Sequence, residues 1–248
     1  MSRRRLLVGV PAAAAGVLAV EVALAVLGGP GVPYERPPEG TQPFGDPGAP
    51  GLRLVVLGDS TAVGQGAPPP AGIAAGVAEQ LAAGGRRVAL RNLAVSGATW
   101  ADVRRQQAAP AAALRPDVVF VSAGANDVTA GRRAGAVRDD VAAVVRTLRA
   151  GSPAPLVVIT GVPDMGSIPR FAQPLRWLVG RRGAHLDAAV RAEAERLRVP
   201  LVPIAQRTGP AFRRDPSLFA ADRFHPDARG YAVWRAAIAP TLRAATAS

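Results

Sequence analysis

From residue 52 onward, short apolar runs bounded by turn residues alternate with longer segments whose apolar positions recur at helical spacing. The short runs are residues 52–57, 88–93, 117–122, 155–160 and 199–204. Short, mostly apolar stretches of this length, many of them valine-rich, predict strands buried on both faces, as in a parallel sheet. Segments 72–83, 100–114, 132–150, 185–197 and 227–245 have helical composition. In 132–150, Val137, Val141, Val144, Val145 and Leu148 share one helical face, and in 185–197 Leu186, Val190, Ala194 and Leu197 do the same. Strand–helix alternation predicts a doubly wound α/β sheet. Sites in such sheets form beyond the carboxyl ends of the strands, which tells where to search for chemistry. No internal repeat is visible.

The N-terminus breaks the pattern. Ser2-Arg3-Arg4-Arg5 precedes an apolar run from Leu6 to about Gly29 in which Glu21 is the only charge. A positive start followed by enough apolar residues to cross a bilayer predicts a hydrophobic helix over residues 1–29, serving as a signal peptide or a retained membrane signal-anchor. Pro11 and the glycines weaken that helix, and Glu21 is costly at mid-membrane. Ala23-Leu24-Ala25 resembles a small-residue cleavage site, so the cleaved and uncleaved forms both stay open, with a merely buried helix as the third option. In the first two, the arginines stay cytoplasmic and the rest is exported, either anchored on the outer side of the cell membrane or secreted. Residues 30–51 are rich in Pro and Gly and predict an extended linker. Residues 52–248 then form one folded domain.

Composition narrows the classes. At 248 residues and 49% hydrophobic, the chain can bury a substantial core, built mostly of Ala, Val and Leu because aromatics reach only 4%. The formal charge is +12, with arginine heavily outnumbering lysine, and the first 29 residues account for +2 of it. Such a charge suits anionic polymers or lipids. The arginines are scattered, however, without an aromatic-basic stretch or zinc-finger spacing, so a solvated basic surface and no nucleic-acid partner are expected. There is no cysteine, which excludes disulfides and cysteine-ligated metals. With only His185 and His225, a multi-histidine metal site is excluded too.

Three predicted strand ends carry small polar groups: Gly58-Asp59-Ser60-Thr61, the stretch Asn92 to Thr99 containing Gly97, and Gly124-Ala125-Asn126-Asp127. Late in the chain comes Asp222-Arg223-Phe224-His225-Pro226-Asp227. Ester cleavage needs a nucleophile, a base and donors for the oxyanion. Ser60 sits where a helix N-terminus is expected to follow a strand, with backbone N–H groups that favour negative charge. His225 is placed to take the hydroxyl proton, and Asp222, three residues earlier, to fix its tautomer. Gly97 lets a backbone N–H approach a substrate closely, and the Asn126 amide supplies a further donor. Asp59 and Asp127 read as loop-bracing acceptors, Asp227 as the first residue of the closing helix, and His185 as a helix residue without a catalytic setting.

These four blocks, in order and each at its expected place, resemble the GDSL-type or SGNH hydrolases over nearly the whole folded part, residues 52–245. The resemblance implies a flavodoxin-like three-layer α/β/α sandwich with a five-stranded parallel sheet. It also implies a catalytic set of Ser60, Asp222 and His225, an oxyanion hole of the Ser60 N–H, the Gly97 N–H and the Asn126 amide, no metal and no cofactor. Thr61 departs from the leucine of the nucleophile block. The expected activity is hydrolysis of carboxylic esters, of an acyl lipid or an acetylated glycan, through a seryl ester. The alternatives are a non-catalytic envelope protein that binds an anionic polymer, and an acyl transferase to a glycan. Segment 163–183, with Phe171, Leu175, Trp177 and Leu178 among arginines, reads three ways: as a lid or acyl-binding wall, as a surface that dips into a membrane, or as a helix packing Trp177 into the core.

Overall fold

The computed structural model describes residues 32–33 and 36–247. The predicted N-terminal helix, residues 1–29, lies outside these. Among the described residues no helix is long and apolar enough to cross a membrane.

Six strands form one mixed sheet in the order β1-β3-β2-β4-β5-β6. They are β1 (Gln42–Phe44), β2 (Gly51–Gly58), β3 (Arg87–Asn92), β4 (Val118–Ser122), β5 (Leu156–Thr160) and β6 (Leu201–Val202). The last five are mutually parallel and match the five predicted runs. The sixth corrects the expected five-stranded, all-parallel sheet. β1 lies inside the segment read as linker and pairs antiparallel with β3, Gln42 opposite Leu90 and Phe44 opposite Val88. Pro43 argues against a strand only at a central position; at a sheet edge its missing N–H is tolerated. β6 keeps two of its six expected residues because Pro200 and Pro203 flank it.

The helices are α1 (Ser60–Val63), α2 (Ile73–Ala83), α4 (Ala125–Thr129), α5 (Ala134–Arg149), α6 (Leu175–Arg196), α7 (Ile204–Arg214) and α8 (Ala228–Thr246). Between α2 and α4 lies α3, residues 100–113, in which a π-helical turn, Val103–Gln107, interrupts two α-helical pieces. Strand side chains alternate between two cores. Val55, Leu57, Val119, Val121, Val157 and Ile159 pack against α3, α5 and α6. Leu54, Val56, Phe120 and Val158 pack against α2, α7 and α8. Helices therefore cover both faces, giving the three layers expected. α6 starts ten residues before the predicted segment 185–197. Its first turns turn Trp177 and Leu178 outward, so apolar periodicity could not reveal them.

Strand order reverses between β2 and β4. Chain connections from these neighbours leave to opposite faces, which opens a crevice at their carboxyl ends.

Candidate active site

Ser60 opens α1 immediately after β2, in that crevice. The turn is made possible by Gly58, at φ +135°, where an added Cβ would lie 1.8 Å from the Ser122 carbonyl oxygen. Asp59 N–H donates to that carbonyl at 3.0 Å, locking the nucleophile turn to β4. The Asp59 side chain caps α1, accepting from Thr61 N at 2.9 Å and Thr61 Oγ1 at 2.7 Å. Burial pushes the Asp59 carboxyl above its ordinary range, against donors from Thr61 and the Gly124 N–H. Thr61, the departure from the family pattern, is thus occupied. Its hydroxyl also meets Ser122 Oγ at 2.9 Å, and Thr160 Oγ1 reaches the same atom at 3.3 Å. A leucine at 61 would break this buried hydroxyl chain linking α1, β4 and β5.

His225 arrives from the loop before α8. Its Nε2 lies 2.8 Å from Ser60 Oγ, and its Nδ1 lies 2.5 Å from Asp222 Oδ2. The other oxygen of Asp222 accepts from the backbone N–H groups of Phe224 and His225, both at 3.0 Å. Burial works to raise the Asp222 carboxyl, but the His225 hydrogen bond and those two N–H groups outweigh it and hold the group below its usual range. The pairing of Nδ1 with a carboxylate puts the ring proton there and leaves Nε2 to accept from the serine. Ser60, His225 and Asp222 are therefore brought together as the sequence led one to expect.

The expected oxyanion donors sit on adjoining loops. Gly97 lies in the β3–α3 loop at φ +86°, where a Cβ would meet open space, so the left-handed backbone is what calls for glycine. Asn126 follows β4 in α4, and its amide donates to Ala98 O at 3.0 Å, which leaves a second amide proton for a ligand. Asp127 Oδ2 accepts from Trp100 N at 3.0 Å, fastening the same two loops. Asp227 caps α8 through Gly230 N, and His185 is exposed on α6, both as anticipated. Among the described residues no group of His, Cys, Asp and Glu is arranged to hold a metal.

Two supports had no sequence signal. Gln107, buried in the π-helical turn, accepts from Gly58 N at 2.8 Å and donates to Gly58 O at 2.9 Å, gripping both polar groups of the residue before the nucleophile block's aspartate. Arg170, from segment 163–183, donates to the Asp222 carbonyl through Nη1 at 3.0 Å, and its backbone N–H donates to Arg223 O at 3.0 Å. Phe171 meets Phe224 edge-on, and Phe224 meets His225 likewise. Part of the segment thus braces the histidine loop. Trp177 is not in the core: it is 56% exposed, with Arg181 over its ring. An apolar cavity touching Ser60 and His225 is walled in part by Pro163, Asp164, Ser167 and Ile168 from the start of this segment, and not by Phe171, Leu175, Trp177 or Leu178.

A doubly wound sheet with a serine, a histidine and a carboxylate linked at its switch point has the arrangement that nucleophilic catalysis by a serine requires. The chain belongs to the GDSL-like lipase/acylhydrolase family, whose model matches residues 56–233. It is 38% identical over 189 residues to a GDSL-like esterase of Mycobacterium tuberculosis, a match that covers 73% of this chain and 59% of that protein. The chain thus spans less than two thirds of that relative's length. Among solved structures, TesA superposes with a TM-score of 0.64 at 22% identity, covering 78% of this chain and 99% of that one. The psychrotrophic esterase EstA from Pseudoalteromonas sp., inhibited by monoethylphosphonate, gives 0.62 at 16% identity, covering 79% and 100%. The acetylxylan esterase Axe2 from Geobacillus stearothermophilus gives 0.56 at 21% identity, covering 78% and 95%. At these identities the structural likeness establishes the fold.

Proposed function

We propose that the protein is an exported esterase that hydrolyses carboxylic esters in two steps at Ser60. The observation that carries this reading is the 2.8 Å contact between Ser60 Oγ and His225 Nε2, with Asp222 on the far side of the ring. Ser60 Oγ bonds to the ester carbonyl carbon while its proton passes to Nε2. The carbonyl oxygen becomes an oxyanion, held by the Ser60 and Gly97 N–H groups and the free proton of the Asn126 amide. The tetrahedral species collapses, the C–O bond to the alcohol breaks, and His225 returns the proton to the leaving alcohol. Water then repeats the sequence on the seryl ester, releasing the acid and restoring Ser60.

Intact linkage of the three side chains speaks against a non-catalytic polymer-binding protein. The test is labelling with a phosphonate monoester or fluorophosphonate, a choice supported by the inhibition of the Pseudoalteromonas enzyme. Labelling of the unmodified chain that vanishes in Ser60→Ala is the expected result. An unlabelled, folded protein would exclude the mechanism. Product analysis with an added glycan acceptor separates hydrolysis from acyl transfer. The ester belongs to an acyl lipid or an acetylated glycan, and the positive start and apolar run of residues 1–29 support export, with the folded part anchored on the outer side of the cell membrane or secreted.

A further inference from the structure

Ser60 and His225 form one side of an apolar cavity whose other walls include Thr208 and Phe212 of α7, Phe219 and Phe224 of the loop before α8, and Trp234 of α8. Its free volume is ≈ 30 Å³. One water-sized group needs roughly 10–15 Å³ of such volume, so the cavity takes about two or three carbon-sized groups. The walls are not poised to yield. Phe212 is 3% exposed and Trp234 4%, and Phe212 meets Phe219 edge-on at 4.9 Å between ring centres. Close-packed aromatic walls deform at a cost, and added methylenes are felt. The apolar residues of segment 163–183 that suggested long acyl chains do not enlarge it: Trp177 faces solvent and Phe171 is spent on Phe224.

We infer that the site takes esters of short acids, acetyl to butyryl, with the carbonyl carbon at Ser60 and the acid's alkyl end in this cavity. Phe219 and Thr208 set the limit. The inference rests on the esterase reading given above and adds to it which half of the substrate is size-selected. It favours acetylated or otherwise short-acylated compounds over lipid acyl chains.

The experiment is a comparison of p-nitrophenyl acetate, butyrate and octanoate with the full-length protein, each rate divided by that of spontaneous hydrolysis. Octanoate is expected at least about 100-fold below the better short ester in kcat/KM, because a methylene without space typically costs about 10- to 200-fold. Phe219→Ala, which widens the cavity, should raise the octanoate-to-acetate ratio by at least about tenfold. Thr208→Ile, which fills it, should lower the butyrate-to-acetate ratio by a similar factor. Its lost hydroxyl serves only the Ile204 carbonyl of its own helix, so this variant keeps the test available should Phe219→Ala fail to fold. Octanoate turned over as well as acetate, or ratios unmoved in folded variants that still take the phosphonate label, would overturn the inference and leave the esterase reading standing. Absence of both labelling and turnover would remove the esterase reading and this inference with it.

Discussion

Asp222 divides its two oxygens between two tasks, and a single-atom change separates them. Oδ1 accepts from the backbone of Phe224 and His225, while Oδ2 faces His225 Nδ1. In Asp222→Asn the amide oxygen can keep the backbone bonds and the amide nitrogen then turns donor toward Nδ1. The ring proton moves to Nε2 and points at Ser60, which can no longer give up its own. We predict a fall of about 10⁴-fold in kcat with the fold retained, read by steady-state kinetics beside circular dichroism. The sign of its titration also follows. The folded carboxyl is held low, so its contribution to stability is present above the ordinary carboxylate range and fades as pH falls toward the folded value. At Asn126 the loss is of a different kind. Asn126→Ala removes a donor used by the developing oxyanion, and should cost about 10²- to 10³-fold in kcat with KM little changed. An equal loss spread into KM would show that the amide binds ground-state ester instead.

Elements hold these residues through contacts that leave unequal traces in sequence. The five parallel strands were legible because strands covered on both faces are mostly apolar, and the nucleophile and asparagine blocks because small polar residues at strand ends stand out against such runs; the histidine block was legible from the spacing of Asp222, His225 and Pro226. β1 was hidden by Pro43, and α7 by Gly209 and Pro210, residues that read as loop; packing of Ile204, Thr208 and Phe212 at helical spacing overrides them. Gln107 and Arg170 were hidden for another reason, since a polar contact between residues distant in the chain imposes no period. Their worth is testable. Gln107→Met leaves the N–H of Gly58 buried without a partner, while the Val95 N–H still serves its C=O, and should lower stability by about 1–3 kcal/mol in urea unfolding. Asp127 adds a pH-dependent prediction. Burial, opposed by the Trp100 N–H and Arg132, pushes its carboxyl from 3.8 up to about 6. Arg132 Nε stands 3.0 Å away but out of line for a hydrogen bond, so it does not reverse the burial effect. Between those two values the folded state holds more protons than the unfolded, and stability falls as pH rises. Up to about 3 kcal/mol is lost from this group between pH 4 and pH 7, and Asp127→Asn should flatten that part of the stability curve.

At the scale of the whole molecule, topology fixes where the site lies. The strand order puts Ser60 from β2 and Asn126 after β4 on either side of the switch point, so the site is at one end of the sheet. Ahead of β1, the Pro33 carbonyl accepts from the Gln65 side chain and Arg36 to Gly40 line a groove with Arg91 to Val95, so this stretch lies against the folded part rather than standing off it as a spacer. In the anchored form of the proposal, with that segment held against the domain, the folded part stays close to the membrane surface, where its net positive charge favours anionic headgroups or envelope polymers. Expression of the full chain in a bacterial host, followed by fractionation and protease treatment of intact spheroplasts, reads this directly. The expected outcome is esterase activity in the membrane fraction that resists high-salt washing and is destroyed by external protease. Activity released in soluble form, with a new N-terminus just after Ala25, would select the cleaved form. Activity protected inside the spheroplasts would show that residues 1–29 do not direct export, and would leave the charge of the folded part to be explained by an intracellular partner.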